Sequence, residues 1–94
     1  MLVENNILVS YTPADVVDGI LLIPNNIVEI AEGCGKDCFG LRVITIPRTV
    51  KKIGHMAFSD CLDLELVTFL SSDVCDISDT AFKRCPKINI IYGV

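Results

Sequence analysis

The sequence predicts a short, mainly β solenoid of the α/β repeat class, and three observations predict it. Hydrophobic residues make up 51% of the 94-residue chain while aromatics make up 6%, so the apolar content is chiefly Ile, Leu and Val. Those residues suit strands that stack on one another. The tetrapeptides Leu21-Leu22-Ile23-Pro24, Ile44-Thr45-Ile46-Pro47 and Val67-Thr68-Phe69-Leu70 recur about every 23 residues. Single positions keep the same beat: Val50 and Ile53 match Ile27 and Ile30, Ala57-Phe58 matches Ala81-Phe82, and Cys38, Cys61 and Cys85 fall in line, as do Leu41, Leu64 and Ile88. A unit of that length is too small to bury its own apolar face, so neighbours must stack to share a core.

The elements follow in chain order within a single domain, residues 1–94. Residues 1–20 do not repeat. Ile7 to Tyr11 alternates as a strand does, Thr12-Pro13-Ala14-Asp15 has turn composition, and Val16 to Ile23 resumes extended structure. That pattern predicts one β-hairpin covering the open edge of the first repeat, as terminal repeats require. Repeats one to three then span residues 21–43, 44–66 and 67–90, with one residue inserted between Leu70 and Val74, and residues 91–94 begin a partial terminal strand. Pro24 and Pro47 cannot donate to a ladder and end their strands. The Ala-Phe-x-x-Cys segments at 57–61 and 81–85 read as one or two helical turns, the second capped by Ser78 or Asp79 and stopped by Pro86. Repeat one carries Cys34-Gly35 where the others carry Ala-Phe. An unfilled hole there would cost about 3–5 kcal/mol, and Phe39 is the nearest ring expected to fill it.

The run Ile-Pro-x-x-Val-x-x-Ile-Gly-x-x-Ala-Phe-x-x-Cys-x-x-Leu at Ile46 to Leu64 resembles the BspA-type (treponemal) leucine-rich-repeat family, and the resemblance covers residues 20 to 92. The lead-in Asn6-Ile7-Leu8-Val9-Ser10-Tyr11 is similar to the cap that often precedes such repeats. The resemblance implies a curved, right-handed leucine-rich-repeat solenoid used for adhesion or protein recognition, in proteins that are often secreted or surface-attached.

Alternation along the strands places one residue in two on the outer face. With Ile44 and Ile46 inward, two outward ladders are expected: Ile20, Val43, Leu66 and Ile90, and Leu22, Thr45, Thr68 and Tyr92. The first is wholly apolar. Contiguous exposed apolar patches mark interaction surfaces, so Ile20, Leu22, Val43, Leu66, Ile90 and Tyr92 are the expected partner-binding residues, with Tyr92 as the aromatic anchor. The alternative is that β-propensity alone selected them. The last strand also leaves an unpaired apolar edge, which invites pairing with another chain, including a second copy of this one.

Other functions find little support. The net charge is −4, from 8 basic and 12 acidic residues, and no basic run exceeds Lys51-Lys52 or Lys83-Arg84. That excludes the positive footprint of a nucleic-acid binder and a polybasic membrane patch. No apolar run approaches the roughly 20 residues of a membrane span, and no signal peptide is visible at Met1 to Asn6. Five cysteines, an odd number, fit reduced thiols in a cytoplasmic setting. Cys38, Cys61 and Cys85 are expected to stack as small buried hydrophobes. A zinc site needs about four converging ligands, and Cys34-x-x-x-Cys38 has no second pair. A Cys34–Cys38 redox disulfide is the other thiol reading. Any Ser-His-Asp or Cys-His nucleophile would have to use His55, the single histidine, and the nearest thiol is the core position Cys61. The expectation is therefore a non-catalytic protein-binding module with no cofactor and no metal. A structural or self-assembling piece of a larger repeat protein is the second reading, and a thiol-redox protein the third.

Overall fold

The computed structural model describes residues 1–71 and 76–93. Each turn of the chain contributes one short strand to each of two parallel stacks, and the stacks enclose the core. The strands are β1 (Leu2–Glu4), β2 (Ile7–Ser10), β3 (Val16–Val17), β4 (Ile20–Leu22), β5 (Glu29–Ile30), β6 (Val43–Ile46), β7 (Lys52–Ile53), β8 (Leu66–Phe69), β9 (Asp76–Ile77) and β10 (Asn89–Tyr92). One sheet runs β1-β2-β5-β7-β9 and the other β3-β4-β6-β8-β10. The protein is thus a mainly β solenoid of about four turns, consistent with a short leucine-rich-repeat architecture.

The repeated sequence positions become columns. Leu21, Ile44 and Val67 stack in register and are fully buried, and Ile23, Ile46 and Phe69 form the next column. On the opposite sheet Leu8, Ile30, Ile53 and Ile77 align. Pro24 and Pro47 close tight turns whose carbonyls accept from Ile27 and Val50, three residues on. Thr49 ties two turns together by sharing its hydroxyl proton between the carbonyls of Asn25 and Ile27, at 2.8 and 2.7 Å. Each such column removes apolar surface that a lone 23-residue unit would expose, worth about 25 cal/mol per Å².

No α-helix forms among the described residues; the one helical element is a 3-10 turn at Pro13–Asp15. The segments expected to be helical turns at 57–61 and 81–85 are instead strings of turns. Met56 and Asp60 have positive φ (54° and 59°), as does Arg84 (58°), and left-handed residues break an α-helix. The turns are held from repeat to repeat: Gly33, Gly35 and Asp37 donate to the carbonyls of His55, Ala57 and Ser59, and Phe58 and Asp60 donate to Ala81 and Lys83. This third side is therefore also a ladder, with every second N–H satisfied by the next turn. The Ser78 hydroxyl accepts the Thr80 N–H at 3.4 Å within a turn, so the cap expected of Ser78 or Asp79 has no helix to close.

Residues 1–22 form two hairpins where one was expected. β1 and β2 pair antiparallel through a turn at Asn5-Asn6, both with positive φ, and β2 then pairs with β5. β3 and β4 pair antiparallel on the other sheet, around Asp18-Gly19. The strand Ile7–Ser10 and the strand Ile20–Leu22 thus lie in different sheets, so each sheet has its own covering strand.

The register of the last strand also differs from the expected one. Asn89, not Ile90, lies opposite Leu66, and Ile90, Ile91 and Tyr92 lie opposite Val67, Thr68 and Phe69. The cause is a missing residue at the corner before the strand. In the two earlier repeats a pair of N–H groups shares one carbonyl: Arg42 and Val43 on Gly19, Glu65 and Leu66 on Arg42. In the last repeat only Asn89 donates to Glu65. That deletion offsets the insertion earlier in the repeat, which reaches into residues 72–75, outside the described residues. Val94, the end of the partial terminal strand, also lies outside them.

Candidate binding faces

The outer face of the β3-β4-β6-β8-β10 sheet carries four of the six expected partner-binding residues. Ile20, Val43 and Leu66 are aligned neighbours, with Asn89 completing the row, and Leu22, Thr45, Thr68 and Ile91 make the second row. Leu22 is the most exposed aliphatic side chain of the face, at 75%. A shallow cavity of about 290 Å³ opens beside it, lined by Asp15, Val17, Asp18, Ile20 and Leu22. Asp15 is held below the usual carboxylate range, chiefly by the Thr12 backbone N–H at 2.9 Å. The same carboxylate is paired with the Met1 ammonium at 2.9 Å, so the cavity offers apolar walls from Val17, Ile20 and Leu22 beside the Asp18 side chain.

Ile90 and Tyr92 do not belong to this face. Parity along the strand follows from the register, and a one-residue slip moves every side chain to the other side. Ile90 continues the inward column below Val67. Tyr92 continues the column of Phe69 and stacks on that ring, with centroids 4.8 Å apart and 14° between planes. Both remain exposed, at 40% and 56%, because they end their columns among the described residues. Ile91 takes the outward place. Sequence reasoning missed it because Ile90 and Ile91 are equally apolar; the signal was the short spacing from Ile88 to Asn89 compared with Leu64-Glu65-Leu66 and Leu41-Arg42-Val43.

The hole left by Cys34-Gly35 is filled, though not by Phe39, which is 69% exposed. Tyr11 fills it. A Cβ on Gly35 would lie 2.3 to 2.6 Å from the hydroxyl and ring of Tyr11, so only glycine fits against that ring. Tyr11, Phe58 and Phe82 form a column of rings, with centroid separations of 6.2 and 5.7 Å. The first repeat borrows from the cap the aromatic group that the later repeats carry themselves.

The cysteines behave as core. Cys34, Cys38, Cys61 and Cys85 are free and buried, and Cys75 lies outside the described residues. The Cys61 thiol donates to the Gly35 carbonyl at 3.3 Å and the Cys85 thiol to the Phe58 carbonyl at 3.1 Å. Burial pushes the Cys34 and Cys61 thiols up to about 12 and raises Cys85 as well. Protonated, enclosed thiols are poor nucleophiles and poor metal ligands. Cys34 and Cys38 are not joined. His55 is exposed and its Nδ1 shares a hydrogen bond with the Thr80 hydroxyl. Among the described residues no three His, Cys, Asp or Glu side chains converge as a metal site. No helix of the described residues is long and apolar enough to cross a membrane. The Lys51-Lys52 pair lies on the other sheet, away from the apolar ladder.

Stacked turns of this sequence pattern define a family, and a family model described as "BspA type leucine-rich repeat region (6 copies)" matches residues 20–92. The chain belongs to the BspA-type leucine-rich-repeat family. Repeat modules of this kind commonly bind proteins and are typically not enzymes. No curated protein and no solved structure matches the chain. The match to BspA-type repeats begins at Ile20, where β4 starts, and leaves the β1–β2 hairpin and β3 outside it.

Proposed function

We propose that this BspA-type repeat chain is a non-catalytic protein-binding module whose contact surface is the outer face of the β3-β4-β6-β8-β10 sheet. The observation that carries the reading is the uninterrupted apolar row Ile20, Val43 and Leu66 beside the projecting Leu22. Folding alone gives no reason to place Leu22 in water, and a contiguous apolar patch is a general mark of an interaction surface. The cavity sets the Asp18 carboxylate beside Val17, Ile20 and Leu22, Asp15 being taken by the Met1 ammonium, which favours a partner that offers an apolar side chain next to a lysine or arginine. Val43 and Leu66, half-buried, supply the flat apolar ground around that anchor. The buried, protonated thiols and the solvent-facing His55 support the absence of catalysis. A displayed peptide library selected on the wild-type chain tests the reading. Enriched peptides should pair an apolar residue with a basic one, and Leu22→Arg should weaken their binding at least about tenfold, the loss of one interface anchor. Peptides that bind Leu22→Arg as well as wild type would remove the face from consideration.

A further inference from the structure

Tyr11 fills the hole above Gly35, but a cavity remains beside it. It measures about 340 Å³ and lies where the cap meets the first repeat, between residues 11–13 on one side and residues 34–39 on the other. That volume is at the small end of ligand sites. Its buried lining is Tyr11, Cys34, Gly35 and Cys38, and its exposed lining includes Pro13 and the ring of Phe39.

One polar atom there has nothing to bond. The Tyr11 hydroxyl is buried and has no hydrogen-bond partner among the described residues. The Cys38 thiol lies near it, but sulfur is a weak acceptor. A buried, unpaired hydroxyl costs free energy that a ligand oxygen set against it would recover. Neighbouring polar groups of the lining are already engaged. Thr12 gives its N–H and its hydroxyl to the Asp15 carboxylate, at 2.9 and 3.4 Å. The Gly35 N–H donates to the Ala57 carbonyl, and the Gly35 carbonyl accepts from the Cys61 thiol.

The charges around the cavity cancel. Lys36 and Asp37 are its one cation and one anion, and both also interact with the Asp60 carboxylate of the next turn. Burial keeps the Tyr11 phenol and the Cys34 thiol protonated. An ion entering such a site would lose hydration and gain no net counter-charge.

We infer that this cavity binds a small neutral ligand, a ring carrying one hydroxyl or carbonyl oxygen, with the ring against Pro13, Cys38 and Phe39 and the oxygen against the Tyr11 hydroxyl. Tyr11 can meet either kind of oxygen, because a hydroxyl both donates and accepts. Its position is fixed before a ligand arrives: the ring is backed by Phe58, 6.2 Å away between centroids, and is pressed onto Gly35. Phe39, which fills no hole in the core, becomes a wall of the site. The inference is independent of the protein-binding reading, since no residue of the cavity belongs to the β3-β4-β6-β8-β10 sheet.

Two probes of nearly the same shape, p-cresol and toluene, test it when titrated into the 94-residue chain while amide chemical shifts are followed by residue. p-Cresol should shift the amides of Cys34 to Phe39 saturably and bind about tenfold more tightly than toluene, the scale of one buried hydrogen bond. Tyr11→Phe keeps the ring and removes only the hydroxyl, and it should bring the two probes to the same affinity. Phe39→Ala, at an exposed position outside the core, should weaken both alike. p-Toluate and p-methylbenzylammonium, the charged counterparts, should bind more weakly than p-cresol. Leu22→Arg should change none of these affinities. Shifts that do not saturate, equal affinities of p-cresol and toluene for the unaltered chain, a p-cresol preference that survives Tyr11→Phe, or tighter binding of either ion would overturn the inference.

Discussion

The two ends of the solenoid meet the same physical problem and differ in its solution. At the N-terminal end, two hairpins lie over the first repeat, and Tyr11 packs into the hole above Gly35 with only 9% of its surface exposed. At the other end Tyr92 lies flat on Phe69, but its outer face is in water. Both are tyrosines against a phenylalanine at the end of a described column, Tyr11 tilted by 37° on Phe58 and Tyr92 stacked on Phe69. One has neighbours on every side, and the other on one. The difference is one of closure: a group from outside the repeat pattern covers the first column, and among the described residues none covers Tyr92.

That contrast fixes the expected sizes of several effects. The largest belongs to Tyr11→Ala, which should cost about 3–5 kcal/mol in urea unfolding, because the vacated space lies beneath a fixed backbone at Gly35. Tyr92→Ala should cost roughly 1 kcal/mol, since little of its ring is withdrawn from water. Equal losses at the two positions would contradict the comparison.

Alkaline pH should give the next largest change. The folded state raises the Cys34 and Cys61 thiols from 9.0 to about 12 by burial. A thiol whose pKa is raised on folding contributes stability that is complete below its unfolded value and lost as pH rises through its folded value. Stability should therefore hold up to about pH 9 and decline towards about pH 12. Replacing Cys34 by Ala should flatten part of that decline, and an unaltered alkaline profile would show that the thiol is not enclosed. The smallest effect should come from Phe39→Ala, at under about 0.5 kcal/mol, because the ring is exposed and fills no hole.

The stacked repeats were legible because stacking demands the same residue type at the same place in every turn. Ile30, Ile53 and Ile77, or Cys38, Cys61 and Cys85, cannot drift without opening a void in a shared column. The ends were not legible for the same reason. Tyr11 replaces a phenylalanine from outside the repeat, and no periodicity connects residue 11 to residue 35. The final strand misled because Ile90-Ile91 satisfies the alternation in either register, and the deciding feature is a backbone corner that lacks one residue. The turn segments read as helical because Ala-Phe-x-x-Cys spaces its apolar residues as a helix would. The inter-repeat hydrogen bonds of Gly35, Asp37, Phe58 and Asp60 instead hold them as stacked turns. Of the expected face, Ile20, Leu22, Val43 and Leu66 lie where alternation puts them, and only the residues beyond the missing corner, Ile90 and Tyr92, exchange sides with Ile91.

The closing of the first columns by the two hairpins is tested most directly by amide hydrogen exchange resolved by residue. Leu8 and the central strands at Ile44 and Val67 should be strongly protected. Ile90 and Tyr92 should exchange fastest in the β10 strand, since their neighbours Asn89 and Gly93 are the ones that donate to the β8 side. Protection at Ile90 and Tyr92 equal to that at Ile44, or rapid exchange at Leu8, would contradict that closure.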